Sequence, residues 1–282
     1  MLKPLALIAF SLTLAACSQT FAPTAPAGTL AYGLNASGQL VIFGLGNAAN
    51  SASTKAITGL NGSDTLVDLD FNPRTSALYA FADSGQVYTI DTGTGAATAN
   101  TTPLVPLAPL KTDFNPVANR VRVFGASASN FRLSVDPAPA AAPKGTVTSD
   151  GTLAYAAGDA NVGKTPNPMG AAYTNSYANG GMSSALPTTT SLYSVDAATN
   201  TLDLHTGGPT FSTLTTVGAL GITLSSSVGF DIVTSGGNGG TNTAYLVNGS
   251  TLYTVNLTSG AATQVAVLGA PLKALAVTIS AQ

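Results

Sequence analysis

The feature that most constrains this chain is an internal repeat. The phrase "ALYAFADSGQVYTIDTGTGAAT" occupies residues 77–98, and a fainter copy, "AYLVNGSTLYTVNLTSGAAT", occupies residues 244–263. Each copy reads as two strands of alternating apolar and polar residues, joined by a turn that contains Gly. Similar hairpins begin at residues 30 and 119, and half of one is visible at 191–196. A repeated hairpin predicts an architecture in which one structural unit recurs.

A turn and a strand of small residues follow each hairpin. The turns "DTGTG" (91–95) and "NLTSG" (256–260) begin with Asp or Asn, whose side chains can bond the following backbone N–H groups. In the half-visible unit we interpret "SLYSVD" (191–196) as the second hairpin strand and "TLDLHT" (201–206) as the strand after it. The first partner of "SLYSVD" is then hidden in the Gly-, Ser- and Thr-rich stretch 175–190.

One further strand precedes each hairpin. The five segments share their apolar positions and are "LVDLDFNP" (66–73), "LKTDFNP" (110–116), "MGAAYTN" (169–175), "VGFDIVT" (228–234) and "LKALAVT" (272–278). Their starts are separated by about 50 residues on average, and four strands in that length are typical of a propeller blade.

The two ends of the chain carry complementary parts of one unit. The segment 272–278 has no hairpin after it, whereas residues 30–57 form a hairpin and a last strand with no strand before them. Together they make one blade, which would close a ring and leave no open sheet edge. We therefore predict an all-β chain whose residues 29–282 form a β-propeller of five four-stranded blades, one of them shared by the N- and C-terminal strands. The alternatives are a sixth unit hidden in 146–168, or a sandwich or open solenoid of the same hairpins.

Composition supports an all-β chain and limits its partners. Only 8% of the residues are charged, and the acids are all Asp. The usual helix formers of a soluble surface are therefore scarce, whereas Thr suits strands, and Gly and Asn suit turns. A net charge of −2 offers no basic field, so we expect no nucleic-acid partner.

The first residues are predicted to direct export. Lys3 precedes an apolar run from Leu5 to Leu14, which is too short to span a bilayer and is typical of a secretory signal. The stretch "LAAC" that ends at Cys17 resembles a bacterial lipobox, so we predict a lipoprotein signal peptide over 1–16 and lipidation of Cys17. No second Cys exists with which Cys17 could form an internal disulfide. An ordinary cleaved signal with a chance Cys is the alternative.

Residues 17–28 are rich in Pro and Ala and are predicted to form a tether. Each buried CH₂ of an acyl chain contributes about 0.8 kcal/mol of membrane affinity, so several chains anchor a protein stably. Ser18 after the Cys resembles an outer-membrane address, if the envelope is Gram-negative. We expect an exported protein that is anchored to the cell envelope by its N-terminal lipid. Its partners would be the membrane and an envelope protein or glycan.

Ten segments in one order resemble a known family. They are "LDFNP", "ALYAF", "QVYTIDTGTGAAT", "DFNPVANRVRVF", "NFRLSVD", "DGTLAY", "AAYTNS", "SLYSVD", "VGFDIV" and "LYTVNLTSGAAT". Over roughly residues 29–280 the chain resembles the bacterial domain of unknown function 4394 family. The resemblance implies a propeller-like repeat, and because it brings no assigned activity, it assigns no catalytic residue to this chain.

Three carboxylates hold equivalent positions in the first strands of their units. Asp70, Asp113 and Asp231 each precede an apolar residue, and Ala172 and Ala276 take this position in the other two units. Since the first strand of a blade lines the propeller axis, these carboxylates are expected to converge. Hard cations such as Ca²⁺ bind several oxygens, which makes the three residues a candidate metal site. Alternatively, each Asp ties backbone amides between neighbouring blades.

The arginines are clustered, and they are the candidate ligand-binding residues. Arg120, Arg122 and Arg132 are three of the four arginines. Arg120 and Arg122 share a strand face, and Arg132 lies on the adjoining strand. They could form bidentate pairs with Asp113 or another carboxylate, or bind phosphate, sulfate or an acidic glycan.

No set of catalytic residues is visible. His205 is the only His and ends a predicted outer strand, so we expect it at the surface.

We predict a non-enzymatic, lipid-anchored propeller that acts as a binding or scaffold module, with no catalytic residue and no cofactor. One alternative is a metal-dependent, lactonase-like hydrolase that uses the axial Asp residues and Ca²⁺. The other is a structural component of the envelope or surface layer.

Overall fold

The computed structural model describes residues 22–179 and 186–279. These residues form five sheets, four with four antiparallel strands and one with an added fifth strand. The sheets are the blades of a five-bladed β-propeller, as the repeat predicts. In the described ranges, no helix is long and apolar enough to cross a membrane.

Blade 1 joins the two ends of the chain. Its innermost strand comes from the C-terminal end and pairs antiparallel with the first strand, so that Tyr32 lies opposite Ala276. From the axis outwards its strands are β21 (Leu272–Val277), β1 (Leu30–Asn35), β2 (Leu40–Gly44) and β3 (Ser53–Lys55). The short helix α1 (Ala48–Ser51) precedes β3. The predicted closure of the ring by terminal strands is confirmed.

Blades 2 and 3 are each built from four consecutive strands. Those of blade 2 are β4 (Leu66–Phe71), β5 (Leu78–Ala82), β6 (Val87–Ile90) and β7 (Ala97–Thr101). Those of blade 3 are β8 (Lys111–Asn115), β9 (Arg120–Phe124), β10 (Ser129–Leu133) and β11 (Val147–Thr152). A 3₁₀ turn (Ala126–Ala128) separates β9 from β10. In the repeated phrase of blade 2, Gly85 and Gly95 have φ of +86° and +83°, a conformation that favours Gly.

Blades 4 and 5 complete the ring. The strands of blade 4 are β13 (Pro168–Tyr173), β14 (Leu192–Asp196), β15 (Thr201–Thr206) and β16 (Thr213–Ala219). A two-residue strand, β12 (Ala154–Tyr155), pairs parallel with β16 at the outer edge of this blade. Those of blade 5 are β17 (Val228–Ser235), β18 (Thr241–Asn248), β19 (Thr251–Val255) and β20 (Ala262–Val267). Because β11 and β12 belong to blades 3 and 4, residues 146–168 do not form a sixth blade.

The strand order of blade 4 corrects one prediction. The segment "SLYSVD" forms β14, which pairs directly with the innermost strand β13 and is therefore the second strand. The segment "TLDLHT" forms β15, the third strand, and β16 is the fourth. The prediction was wrong because the connection between the first two strands, residues 174–191, is long in this blade and short in blades 2, 3 and 5.

Hydrophobic cores lie between adjacent blades. The innermost strands contact one another in the order β21, β4, β8, β13, β17 and back to β21. Each interface has its own apolar cluster, such as Phe81 with Phe114 between blades 2 and 3. The inner strands are therefore covered on both faces, and all five residues of β5 are buried, whereas outer strands such as β20 are largely exposed. Two-sided burial leaves few positions for charged side chains in the inner strands.

The described part of the predicted tether, residues 22–28, runs along blade 1 with exposed side chains. The Asn47 side chain accepts a hydrogen bond from Ala27 N at 2.8 Å and donates one to Ala25 O at 2.9 Å. The backbone N–H of Thr24 donates to Asn50 O at 2.8 Å. The predicted signal peptide and Cys17 lie outside the described residues.

Candidate functional site

Three carboxylates meet on the propeller axis. Asp70 on β4, Asp113 on β8 and Asp231 on β17 are buried, and one oxygen of each lies within 4.8 Å of the others. They converge because each occupies the same position in the innermost strand of its blade. Ala172 on β13 and Ala276 on β21 occupy this position in the two remaining blades, so the acid layer also contains two small apolar side chains.

Each axial carboxylate also binds the backbone of the next blade. The innermost strands have an edge that faces the axis, and its N–H groups need an acceptor that the sheet does not supply. Asp70 accepts a hydrogen bond from Phe114 N (2.6 Å), Asp113 from Tyr173 N (3.0 Å) and Asp231 from Val277 N (2.6 Å). A fourth buried acid, Asp68 on β4, accepts one from Thr112 N (2.7 Å) in the same way. Convergence on the axis and tethering between blades are therefore properties of the same side chains.

Burial makes the axial carboxyls hold protons more strongly than exposed ones do. Burial, together with the nearby Asp70 and Asp231, raises the pKa of Asp113 well above its ordinary value. Burial and Asp231 act in the same way on the pKa of Asp70. Burial raises the pKa of Asp231 to about 6. Because unpaired buried charges are costly, the three groups require either protons or a cation.

A buried lysine crosses the axis next to the acid layer. Lys111 on β8 donates from Nζ to Val228 O and to Lys273 O, both at 2.7 Å. These carbonyls belong to β17 and β21, which are not neighbours of β8 in the ring. Burial lowers the pKa of Lys111, and the charge of Asp68 opposes this effect. Since Lys111 precedes Asp113 by two residues, its layer lies about 6.6 Å nearer the start of the strand.

Beyond Lys111 the axis ends in an open depression of about 220 Å³. Each blade contributes at least one residue to its lining, which consists of Val67, Leu110, Lys111, Met169, Ser226 and Lys273. Leu110 is 47% exposed, so the depression is accessible to solvent. In the part of the chain that the structure describes, the ammonium group of Lys273 has no hydrogen-bond or ion-pair partner. We call this surface the axial depression.

The opposite end of the axis is covered by residues 175–179, which follow β13. The N–H of Thr234 donates to Ser176 O at 2.9 Å, and the N–H of Asn179 donates to Pro73 O at 2.8 Å. Pro73 follows β4, which is not a ring neighbour of β13, so the segment crosses the axis. Tyr177 in its middle is fully buried. The acid layer therefore lies between a covered end and the side chain of Lys111.

Near the covered end, some buried polar groups have no hydrogen-bond partner among the residues that the structure describes. They include the Nδ2 atom of Asn72, both side-chain heteroatoms of Asn179 and the hydroxyl of Thr278. Asn72 lies just after β4 and two residues after Asp70, so the two side chains point to the same side of the chain. Groups of this kind are suited to bind ordered water or the hydration shell of an ion.

The three arginines contact protein groups in blade 3 and at its border with blade 4. Arg122 Nη1 lies 2.6 Å from Asp150 Oδ2, and Arg132 makes a bidentate pair with the same carboxylate at 2.7 and 2.8 Å. Arg120 donates to Arg132 O at 2.9 Å and to the hydroxyl of Thr148 at 3.0 Å. Within the described residues, the acid that pairs with Arg122 and Arg132 is thus Asp150 on β11, not Asp113.

These arginines differ in access. The Arg122 side chain is fully buried and also donates to Asn130 Oδ1, Tyr173 Oη and the carbonyl of Pro209. The Arg132 side chain is 22% exposed. An anion could therefore approach Arg132 directly, whereas Arg122 holds blade 3 against blade 4.

Sequence reasoning missed a second pair of buried acids, in blade 4. The Tyr155 hydroxyl lies 2.9 Å from Asp196 Oδ2 and 2.8 Å from Asp203 Oδ2. Burial raises the pKa of Asp203 to about 7. A phenol has one proton and cannot donate to both carboxylates, so a protonated Asp203 completes the network. No sequence signal distinguished Asp196 from an ordinary turn residue, and the pairing depends on the position of the edge strand β12.

His205 is buried, and the prediction that it lies at the surface is wrong. Its Nδ1 is 2.9 Å from Phe211 O, its Nε2 is 2.8 Å from Ser194 Oγ, and its ring stacks on Phe124 at 5.2 Å. Burial lowers the pKa of His205 to about 4. The reason is the strand order of blade 4, which makes β15 an interior strand.

These features define a five-bladed β-propeller with an acid-lined axis that is covered at one end. The sequence profile of the family described as "Domain of unknown function (DUF4394)" matches residues 39–276, and the chain belongs to this family. The family resemblance seen in the sequence is thereby confirmed.

Two solved structures match the chain at low sequence identity. One, described as "Crystal structure of Nidogen/Laminin Complex", has a TM-score of 0.50 and 11% identity, and the alignment covers 90% of this chain and 99% of the other. An auxiliary nutrient binding protein from Bacteroides thetaiotaomicron VPI-5482 has a TM-score of 0.45 and 10% identity, with 85% and 57% covered. No curated protein matches the chain. At such identities the similarity concerns the fold alone.

Proposed function

We propose that this chain is a lipid-anchored cell-envelope propeller that acts as a non-enzymatic binding module. The observation that carries the proposal is the axial depression, to which all five blades contribute. It is concave and combines apolar walls with a few polar groups, as ligand sites usually do. The carboxylates beneath it bind backbone amides of neighbouring blades, which favours a structural role for them over catalysis.

Ligand-dependent stabilisation tests the binding function. The full chain, purified in detergent, is heated with small-molecule fractions of an envelope extract, and a bound component raises Tm. Leu110→Asp places a charge in the axial depression and should abolish the rise. Leu104→Asp is the matched control, because Leu104 is 72% exposed and lies in the same connection between β7 and β8. Conversion of a component into a product, lost in Asp113→Ala, would instead identify an enzyme.

Anchoring through Cys17 is the second part of the proposal, and the lipobox-like stretch before Cys17 supports it. Thr24 is bound to blade 1, and because Cys17 precedes Thr24 by seven positions, the chain between them spans at most about 25 Å. The anchor would therefore hold the rim of blade 1 near the membrane, which is the outer membrane in a Gram-negative cell. Cys17→Ala should move the protein to the soluble fraction and abolish labelling by a fatty-acid analogue. Retention of this variant in the membrane would contradict anchoring through Cys17.

The convergence of three carboxylates favours one second candidate, a metal-dependent hydrolase. Asp70, Asp113 and Asp231 would hold Ca²⁺, whose preference for several oxygen ligands fits the acid layer. Elemental analysis of the purified chain should then find one divalent ion per molecule, and Ca²⁺ should raise Tm in the natural chain more than in Asp231→Asn. A chain that contains no such ion and whose Tm does not respond to Ca²⁺ excludes this candidate.

A structural role in the envelope or surface layer would give a different result. Gentle cross-linking would then join the chain to neighbouring envelope proteins, and no small-molecule fraction would change Tm.

A further inference from the structure

The axial depression has a size and charge from which a class of ligand can be inferred. We propose that it binds a small monocarboxylate with a short apolar body, with the carboxylate against Lys273 and the body against Val67, Leu110 and Met169. This inference rests on the binding function proposed above and names the chemistry of the ligand.

The volume sets the size of the ligand. A water molecule occupies about 30 Å³ of liquid, so a space of about 220 Å³ holds about seven groups of the size of water. Hexanoate has a similar number of non-hydrogen atoms. A larger molecule would extend from the depression into solvent.

The charge of the lining favours a single negative group. Lys111 is already engaged by two carbonyl oxygens, and the nearby Asp68 balances its charge. Lys273 has no such partner among the residues that the structure describes. The positive charges of Lys273 and Lys111 repel each other. An anion against Lys273 would relieve this repulsion, and the Ser226 hydroxyl at the rim can donate one further hydrogen bond.

The acid layer does not oppose this arrangement. Asp70, Asp113 and Asp231 lie deeper along their strands than Lys111, and each accepts a hydrogen bond from the next blade. Each of these carboxylates is therefore engaged by the protein backbone and does not line the depression. Among the described residues, Lys111 and Lys273 are the charged residues that line the depression.

The apolar walls fit an aliphatic body. Val67, Leu110 and Met169 come from three different blades and surround the depression from three sides. The flexible thioether of Met169 can adjust to the shape of a small ligand. An aliphatic chain bound here would cover the exposed side chain of Leu110, whose burial from water favours association.

Titration with hexanoate tests the proposal. The full chain carries ¹³C-methyl methionine, and the Met169 methyl signal, assigned with Met169→Leu, should shift and saturate. Lys273→Gln should weaken binding about tenfold or more, because a hydrogen bond to a charged group is lost. Lys273→Arg should retain binding. Lys144→Gln, which removes a charge that is 49% exposed and outside the depression, should have no effect. 1-Hexanol should bind more weakly than hexanoate.

Each outcome separates this inference from the binding function. The monocarboxylate is excluded if hexanoate gives no saturable shift, or if Lys273→Gln binds it as tightly as the natural chain does. If an envelope fraction still stabilises the natural chain and not Leu110→Asp, the binding module stands and only the ligand class is overturned. If neither hexanoate nor any fraction acts through Leu110, both proposals are overturned.

Discussion

At the scale of single residues, Asp113 shows how one side chain can be both tether and candidate ligand. It accepts a hydrogen bond from Tyr173 N and lies beside two other buried acids. The tether needs an acceptor oxygen but no charge. A bound cation would need the charge as well, so substitutions that separate charge from shape distinguish the two roles.

Asp113→Asn and Asp113→Ala should therefore behave differently. Asn keeps the acceptor and the shape, so we expect it to lower the free energy of unfolding by less than about 1 kcal/mol. Ala leaves the Tyr173 N–H without an acceptor and should lower the free energy by about 1–3 kcal/mol. Chemical denaturation at neutral pH measures both. An Asn variant that is as unstable as the Ala variant would show that the negative charge itself is required, as a cation site demands.

The pKa of Asp203 predicts a pH dependence of stability. This pKa is raised from 3.8 to about 7 in the folded chain. As the pH rises, the unfolded chain loses this proton first, so the carboxyl makes folding less favourable between about pH 4 and pH 7. The free energy of unfolding of the natural chain, minus that of Asp203→Asn, should fall across this window and be constant above it.

The comparison with Asp203→Asn is needed because His205 changes the free energy of unfolding in the opposite direction as the pH rises. Its pKa is lowered from 6.5 to about 4, so the unfolded chain binds a proton more readily between these values. Stability due to His205 therefore rises with pH where stability due to Asp203 falls. A difference curve that is flat between about pH 4 and pH 7 would show that Asp203 is not buried as described.

At the scale of elements, strands and turns were predictable where they depend on residues that are close together in the sequence. Alternating apolar residues and the turn glycines predicted the hairpins, and the shared apolar pattern predicted the innermost strands and the equivalence of Asp70, Asp113 and Asp231. Blade 4 was misassigned because its first two strands are separated by a long connection. The reach of Lys111 to Val228 and Lys273 was not predictable, since it depends on which strands lie across the ring.

The approach of neighbouring innermost strands also depends on a small residue. A Cβ atom at Gly229 would lie 2.4 Å from the backbone of Ala274, whereas one at Gly269 would meet nothing within 4 Å. Gly229→Ala should therefore force β17 and β21 apart and lower the free energy of unfolding by about 1–3 kcal/mol. Gly269→Ala, the control, should change it by no more than about 0.5 kcal/mol. Equal denaturation midpoints for the two variants would contradict the close packing of these strands.

At the scale of the whole molecule, stability should depend on closure of the ring. The strand β21 pairs with β1 and contacts β4 and β17, so it holds blade 1 together and joins it to both neighbours. A chain that stops before Leu272 should lose cooperative thermal unfolding. Adding a synthetic peptide of residues 270–282 should restore a single transition, measured by circular dichroism. A truncated chain that still unfolds in one transition at the natural Tm would disprove the dependence.

The pairing of β1 with β21 has a consequence for how the protein matures. The strand β1 is synthesised early and keeps an unpaired edge until β21 follows, near the other end of the sequence. A copy that lacks β21 retains an exposed edge, which favours aggregation and leaves the chain open to proteases. Pairing of this edge therefore requires a chain that has been synthesised through β21.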